Sequence, residues 1–232
     1  MKAALLALAL CACVAGTDSV PPEVAQRYVA GVDGGFAMAA VPHPYLTGRN
    51  RRVAVAYAGP EPVGTIVVDP YARLLYLITG PQQALRYGIA VGVQGRNFSG
   101  AAVIRRKALW PPWTPTANMI RTNPEYYAAY AGGLPGGPPN PLGARALYLY
   151  QGGRDTYYRI HGTQEPSAIG HATVAGCIRL FNQDAIDLFE RVPLGTPVRV
   201  RTEAESHRYE GVLHEGPDGL LVPVQGPEVG AP

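Results

Sequence analysis

The 232 residues carry 20 basic and 17 acidic side chains, and a net charge of +3 is too small to mark a nucleic-acid partner. Apolar residues make up 47% and charged residues 16%, enough for a packed core and against general disorder. The 28 Gly and 23 Pro follow no repeat, which excludes collagen and predicts many turns and few long helices. All basic residues but Lys2 and Lys107 are Arg, and no five-residue basic block offers a docking stripe for a polyphosphate.

The chain opens MKAALLALALCACVAG, one Lys and then an uncharged run of Ala, Leu, Cys and Val. The run is too short to span a bilayer, which needs about 20 apolar residues. It has the short basic and apolar regions of a secretory signal over residues 1–16. Two processing readings stay open: cleavage after Ala15 or Gly16, or use of Leu10-Cys11-Ala12-Cys13 as a lipobox that leaves a lipid anchor on Cys13. Either way the chain is expected outside the cytoplasm, in a periplasm or tethered to its membrane. Export leaves Cys177 as the single mature thiol, without a disulfide partner in an oxidising compartment. A working thiol is favoured over a small buried hydrophobe.

Residues 17–52 read as a leader or strap. Pro21 and Pro22 start a short helix through Val24, Ala25, Tyr28 and Val29, which Gly31 stops. From Val53 the pattern turns to strands. Thr65–Val68 and Leu74–Ile78 flank Asp69-Pro70-Tyr71-Ala72-Arg73, which predicts a hairpin. Further strands are expected at Leu85–Val91, Ala101–Arg106, Ala146–Tyr150, Thr156–Ile160 and Pro197–Arg201. Short strands punctuated by Gly and Pro predict a mainly β domain over 53–201, a sandwich or barrel with a few short helices.

Two helices stand out. Asn123 is the expected cap of one that runs through Tyr130 to Gly132. Asn182 is the expected cap of a second, whose Ala185, Leu188, Phe189 and Val192 share one face. Between them Gly132–Gly143 is a loop. Residues 202–232 form an extension with one hairpin and a frayed end at Gly226–Pro232.

The chemistry concentrates in Tyr157-Tyr158-Arg159-Ile160-His161-Gly162-Thr163, then Ile169-Gly170, then Gly176-Cys177-Ile178-Arg179-Leu180-Phe181-Asn182. A strand delivers His161 at its end. A cysteine nucleophile acts as a thiolate, and a nearby imidazole can take its proton. Spacing alone does not show that the two meet. The five His and one mature Cys have no metal-ligand spacing, so no zinc site and no cofactor are expected.

These segments resemble the L,D-transpeptidase catalytic domain (YkuD-like). Upstream, Gly64-Thr65-Ile66-Val67-Val68-Asp69, Tyr87–Gly92, Trp110-Pro111-Pro112-Trp113-Thr114-Pro115 and Asn140-Pro141-Leu142-Gly143 match its signature segments in order, over about Val63 to Val200. The resemblance implies an enzyme acting on peptidoglycan stem peptides. Cys177 would attack the third residue of a donor tetrapeptide, D-Ala would leave, and an amine would resolve the thioester. That amine would belong to another stem, to an outer-membrane protein or to another acceptor. His161 would be the base, held by the Gly162 carbonyl, and the N–H groups of Gly176 and Cys177 would face the oxyanion. Arg179 would order the site or hold a carboxylate. Acylation by carbapenems is implied as well.

One departure matters. Relatives carry Ser or Thr three residues before the cysteine, often followed by His, Ser or Lys; here Val174 and Ala175 stand there. This keeps two alternatives open: a non-catalytic peptidoglycan-binding protein on the same fold, and net hydrolysis of the L,D-carboxypeptidase type. Trp110 and Trp113 are candidate walls of the donor cleft or straps on the sandwich, and Asn182 is a candidate substrate contact or a plain helix cap. Tyr126, Tyr127 and Tyr130 read as packing on a covering helix, and His171 as a rim residue.

Overall fold

A computed structural model describes residues 20–92, 98–173 and 177–224. The expected signal over 1–16 with Cys11 and Cys13, the Val174-Ala175-Gly176 segment and the end at Gly226–Pro232 lie outside the described residues.

After the short helix α1 (Pro22–Ala25) come β1 (Gly31–Asp33), β2 (Phe36–Met38) and β3 (Val53–Ala56). Then follow β4 (Ile66–Asp69), β5 (Leu74–Gly80), β6 (Gln83–Gly88), β7 (Ala90–Gly92) and β8 (Gly100–Leu109). The helices α2 (Ala117–Thr122) and α3 (Pro124–Tyr127) precede β9 (Arg145–Gln151) and β10 (Arg154–His161). Two-residue strands β11 (Ala172–Thr173) and β12 (Ile178–Arg179) lead into α4 (Asn182–Arg191) and β13 (Pro197–Val200). Helix α5 (Glu203–Glu210) and the hairpin β14 (Leu213–Glu215) and β15 (Leu221–Pro223) close the described chain.

The architecture is mainly β, with few short helices. Eleven strands form one mixed sheet in the order β11-β7-β12-β10-β9-β8-β13-β4-β5-β6-β3. The strands β6 and β7 stand near opposite ends of that order, yet only Ile89 separates them in the chain. The sheet must therefore curl until its two ends meet, which gives a barrel-like body without a full ring of ladder hydrogen bonds. A single strand over Leu85–Val91 was the sequence expectation; the structure breaks it at Ile89, where the chain changes partners. Gly88 sits at the break because a Cβ there would lie 2.4 Å from the Asn50 backbone.

Alternation along the strands divides two cores. Ile66 and Val68 face inward with Leu75, Leu77, Tyr87, Ile104, Leu149, Ile160 and Ile178. Val67 faces the other way with Leu74, Tyr76, Ile78 and Tyr57. Helix α4 fills the inner face with Ala185 and Leu188, and Val192 follows just past its end. The hairpin β4–β5 turns where predicted: Asp69 Oδ1 accepts the N–H groups of Tyr71 (3.1 Å) and Ala72 (2.9 Å). Asn123 caps α3 by accepting the Tyr126 N–H, and the helix tightens to a 3₁₀ turn over Ala128–Tyr130.

Asn182 is not the cap of α4, as the sequence reading expected. The helix starts at Asn182, Phe181 occupies the cap position, and no side chain caps it. The Asn182 amide is engaged elsewhere. A helix was not expected after Thr202, but α5 begins there with a reciprocal capping box between Thr202 and Glu205.

The leader packs as part of this body. Tyr28, Val41 and Leu46 bury against Ala90, Ile169 and Phe181, with the Tyr28 and Phe181 rings edge to face at 5.6 Å. Asp33 at the end of β1 binds Arg145 through both carboxylate oxygens, at 2.6 and 2.8 Å. No helix among the described residues is long and apolar enough to cross a membrane. Leu46 has no exposed surface, so Leu46→Ala should cost about 2–5 kcal/mol by loss of apolar burial and cavity formation. Urea unfolding measures this, and a loss near zero would mean that the leader is not part of the cooperative unit.

Candidate active site

The site grows from one parallel pairing. Strand β10 runs alongside β12 with Ile160 opposite Ile178 and His161 opposite Arg179. Side chains alternate across a strand. With both isoleucines in the inner core, Arg159 and His161 on β10 and Cys177 and Arg179 on the β12 segment share the opposite face. Continuing the register one pair back sets Arg159 across from Cys177. His161 and Cys177 are then diagonal neighbours, with Cα atoms about 8 Å apart from the strand spacing and rise. That separation lets a short thiol and a longer imidazole meet between the strands.

His161 is 3% exposed and its Nδ1 lies 2.6 Å from the Gly162 carbonyl oxygen. A carbonyl can only accept, so Nδ1 carries the proton and Nε2 keeps its lone pair. Burial pushes the imidazole down to about 4, and the Arg179 and Arg159 charges act in the same direction. The carbonyls of Gly162 and Leu142 oppose the shift without reversing it. At neutral pH the ring is therefore uncharged, with its lone pair on Nε2.

Cys177 is half-buried and free. Burial pushes its thiol up, while the Arg159 charge, a backbone hydrogen bond from Arg159 and the Arg179 charge pull it down. Thiol and imidazole thus rest as a neutral pair. Arg179 lies 3.5 Å from the Glu165 carboxylate, and its charge also reaches the Tyr127 hydroxyl on α3. Helix α3 therefore borders the site.

Asn182 accepts the Ala144 N–H at 2.9 Å through Oδ1. A Cβ on Gly162 or Gly143 would lie 2.1 or 2.2 Å from that same oxygen. Two glycines let the amide wedge between the strand end carrying His161 and the turn before β9. Asn182 thus braces the segment that holds the imidazole. Trp110 is buried, its ring 5.0 Å from Phe36 and its Nε1 donating to Asp33 at 2.7 Å, so it anchors the leader hairpin. Trp113 stacks 6.2 Å from both Tyr127 and Tyr130, next to the residue that senses Arg179.

The structure thus brings together Cys177, His161, Gly162, Arg179 and Asn182, with Trp113 at the border and Trp110 directed to the leader. Gly176 falls outside the described residues. Sequence reasoning missed Arg159 and Glu165. Arg159 had a signal, because it stands two residues before His161 in an alternating strand and so shares its face. No group of three His, Cys, Asp or Glu placed to hold a metal occurs among the described residues. Cavities of about 360 and 390 Å³ lie beside the C-terminal hairpin, away from Cys177.

A curled mixed sheet that carries a thiol and a neutral imidazole on adjoining strand ends defines a class of sites suited to covalent acyl chemistry. The family model described as the YkuD L,D-transpeptidase catalytic domain matches residues 64–200, and the chain belongs to that family. It is 37% identical over 158 residues to Probable L,D-transpeptidase YbiS of Escherichia coli (strain K12), covering 63% of this chain and 49% of that protein. It is 35% identical over 139 residues to Probable L,D-transpeptidase ErfK/SrfK of the same strain, covering 59% and 43%. The chain spans about half the length of these curated relatives. A solved structure titled as a probable carnitine operon oxidoreductase from Brucella melitensis is 49% identical, covering 66% of this chain and 94% of that one, with a TM-score of 0.47.

The His161 ring should titrate with a midpoint near pH 4, followed by its carbon-bound proton shifts in NMR. It should stay neutral above that pH and charge below it. A midpoint near the ordinary value of about 6.5 would mean that the ring is solvated and that burial does not set its charge.

Proposed function

We propose that this chain is an exported L,D-transpeptidase that works on peptidoglycan stem peptides through Cys177. The observation that carries the reading is the parallel pairing of β10 and β12, which sets thiol and imidazole on one face within a chain of this family.

The Cys177 proton passes to His161 Nε2 as the sulfur adds to the carbonyl of the third stem residue. Backbone N–H groups at Gly176 and Cys177 donate to the oxygen on which negative charge develops. The intermediate collapses, the bond to the terminal D-Ala breaks, and the imidazolium returns the proton to that leaving amine. A thioester on Cys177 remains. An acceptor amine then attacks, gives its proton to Nε2, and releases the thiol as a new amide forms. The acceptor is a second stem or an amine of an outer-membrane protein. The Gly162 carbonyl holds the tautomer that this cycle needs, since it keeps Nδ1 protonated. Asn182 holds Gly162 in place. Arg179 is a cation on the site face, and its planar fork suits a substrate carboxylate. Water in place of the amine gives hydrolysis with the same residues, so the product distinguishes the two.

Incubation with tetrapeptide muropeptides should release D-Ala and give a mass adduct on Cys177, with cross-linked product when acceptor is present. Cys177→Ala should abolish the adduct, and His161→Gln should slow acylation about 10²- to 10⁴-fold. Folded protein that gives neither adduct nor product defeats the proposal; free tripeptide as the sole product assigns hydrolysis.

A further inference from the structure

We propose that Arg159 is a positioning residue for Cys177, a clamped guanidinium that supplies the fixed positive charge beside the sulfur when the thiol gives up its proton. The proposal rests on the reading of Cys177 as the nucleophile and adds the group that prepares it.

Three observations converge on Arg159. The parallel register sets it across from Cys177, and its backbone and its charge both pull the thiol down. Its guanidinium cannot wander. Asp155 holds it through both nitrogens at 2.7 and 2.8 Å, and the Tyr148 ring lies 4.4 Å beneath it. A further bond to the Tyr158 carbonyl, at 3.0 Å, fixes its third contact. A bidentate, stacked guanidinium keeps its charge in one place, which a lysine ammonium does less well.

The local backbone is built for this clamp. Strand β10 shifts register between Asp155 and Arg159, and Tyr157 in that bulge has a φ of +62°. A non-glycine residue in the left-handed region is costly and persists only where its surroundings hold it. Here Asp155 Oδ1 accepts the Tyr157 N–H at 2.8 Å, and the Thr156 hydroxyl accepts the Tyr158 N–H at 3.1 Å. The bulge folds Asp155 back onto Arg159, four residues on, which a regular strand would carry some 13 Å away.

Among the described residues, the charged and titratable groups around the sulfur are few. Arg159, His161 and the Tyr158 hydroxyl come from β10, and Arg179 from β12. Glu165 draws on Arg179, and Asp155 on Arg159. Of the clamped pair, the guanidinium is the partner whose charge reaches the sulfur. The same charge works against an imidazolium at His161. Arg159 therefore favours the thiolate without fixing the proton on His161, which leaves that proton available to the leaving amine.

The test reads the thiol and needs no wall substrate. Iodoacetamide alkylation is followed as a function of pH on the Cys177 peptide by mass spectrometry, which separates it from Cys11 and Cys13, in the full chain, in Arg159→Gln and in Arg159→Lys. The Gln variant should move the alkylation profile to higher pH and slow the reaction at neutral pH several-fold, about tenfold for each unit of thiol shift. The Lys variant keeps the charge and should recover most of the rate. Thermal melts confirm that each variant is folded. A Gln profile that superimposes on the parent overturns the proposal, and so does a Lys variant shifted as far as Gln, since packing would then be the cause. If Gln destabilises the fold, Asp155→Asn loosens the clamp with the cation retained, and an unchanged profile there also overturns it. Because alkylation is independent of transpeptidation, a chain that alkylates as expected but turns over no muropeptide would sink the proposed function and leave this inference standing.

Discussion

Everything at the site depends on two residues of parallel pairing. When Ile160 and Ile178 enter the same core, period-2 alternation leaves no choice about the neighbouring side chains. A one-residue slip of β12 against β10 would turn Cys177 and Arg179 toward the core and Ile178 out of it. Such a slip combines loss of apolar burial with desolvation of a guanidinium, and both oppose it. The face that carries His161 and Cys177 is thus specified by the hydrophobic face behind it. The two-residue length of β12 does not weaken this, because the core packs the isoleucines from both sides.

The pairing is braced from the other side of the chain. Asn182 follows Phe181 directly, and Phe181 is buried under the leader with Tyr28 and Leu46. Two residues later Asp184 lies at 0% exposure, held by the Tyr28 hydroxyl at 3.1 Å and facing Arg52 at 3.4 Å. Burial raises that carboxyl to about 7, with Arg52 and Tyr28 opposing. The start of α4 is therefore fixed by leader contacts on one side and by Ala144, Gly143 and Gly162 on the other. The geometry that keeps Nδ1 of His161 on a carbonyl reaches back through Asn182 and Phe181 to residues before the first strand of the main sheet.

Much of this was legible in the residues, and the gaps have physical causes. Thr156–Ile160 reads as a strand that delivers a histidine at its end because its run of β-branched and aromatic residues is long enough to detect. Strand β12 does not, since two residues carry no period. The role of Ile89 was hidden because local pattern records strand formation but not which edge a strand joins, and here the partner changes within one residue. Asn182 was assigned to the right place with the wrong task. Its type does favour helix caps, yet the competing partner, the Ala144 N–H, lies 38 residues away and leaves no local trace. Two elements were readable and missed. Thr202 and Glu205 spell a capping box for α5, and Gly34-Gly35 between Asp33 and Phe36 spells the turn of the β1–β2 hairpin.

The charge state of the site follows from these same constraints. A nucleophile–base pair can rest as an ion pair or as two neutral groups. Burial of His161 penalises the imidazolium, and burial of Cys177 penalises the thiolate, so both single-ion costs push toward the neutral pair. An ion pair could offset them by mutual attraction, but Arg159 and Arg179 add positive charge to the same face. They stabilise the anion and repel the cation. Among the described residues, the charges of Arg159 and Arg179 thus both favour the anion on sulfur and disfavour the cation on the imidazole. On the proposed mechanism, charge would develop at this face only as the sulfur adds to a carbonyl, beside a guanidinium that Asp155 and the bulge in β10 already hold in place.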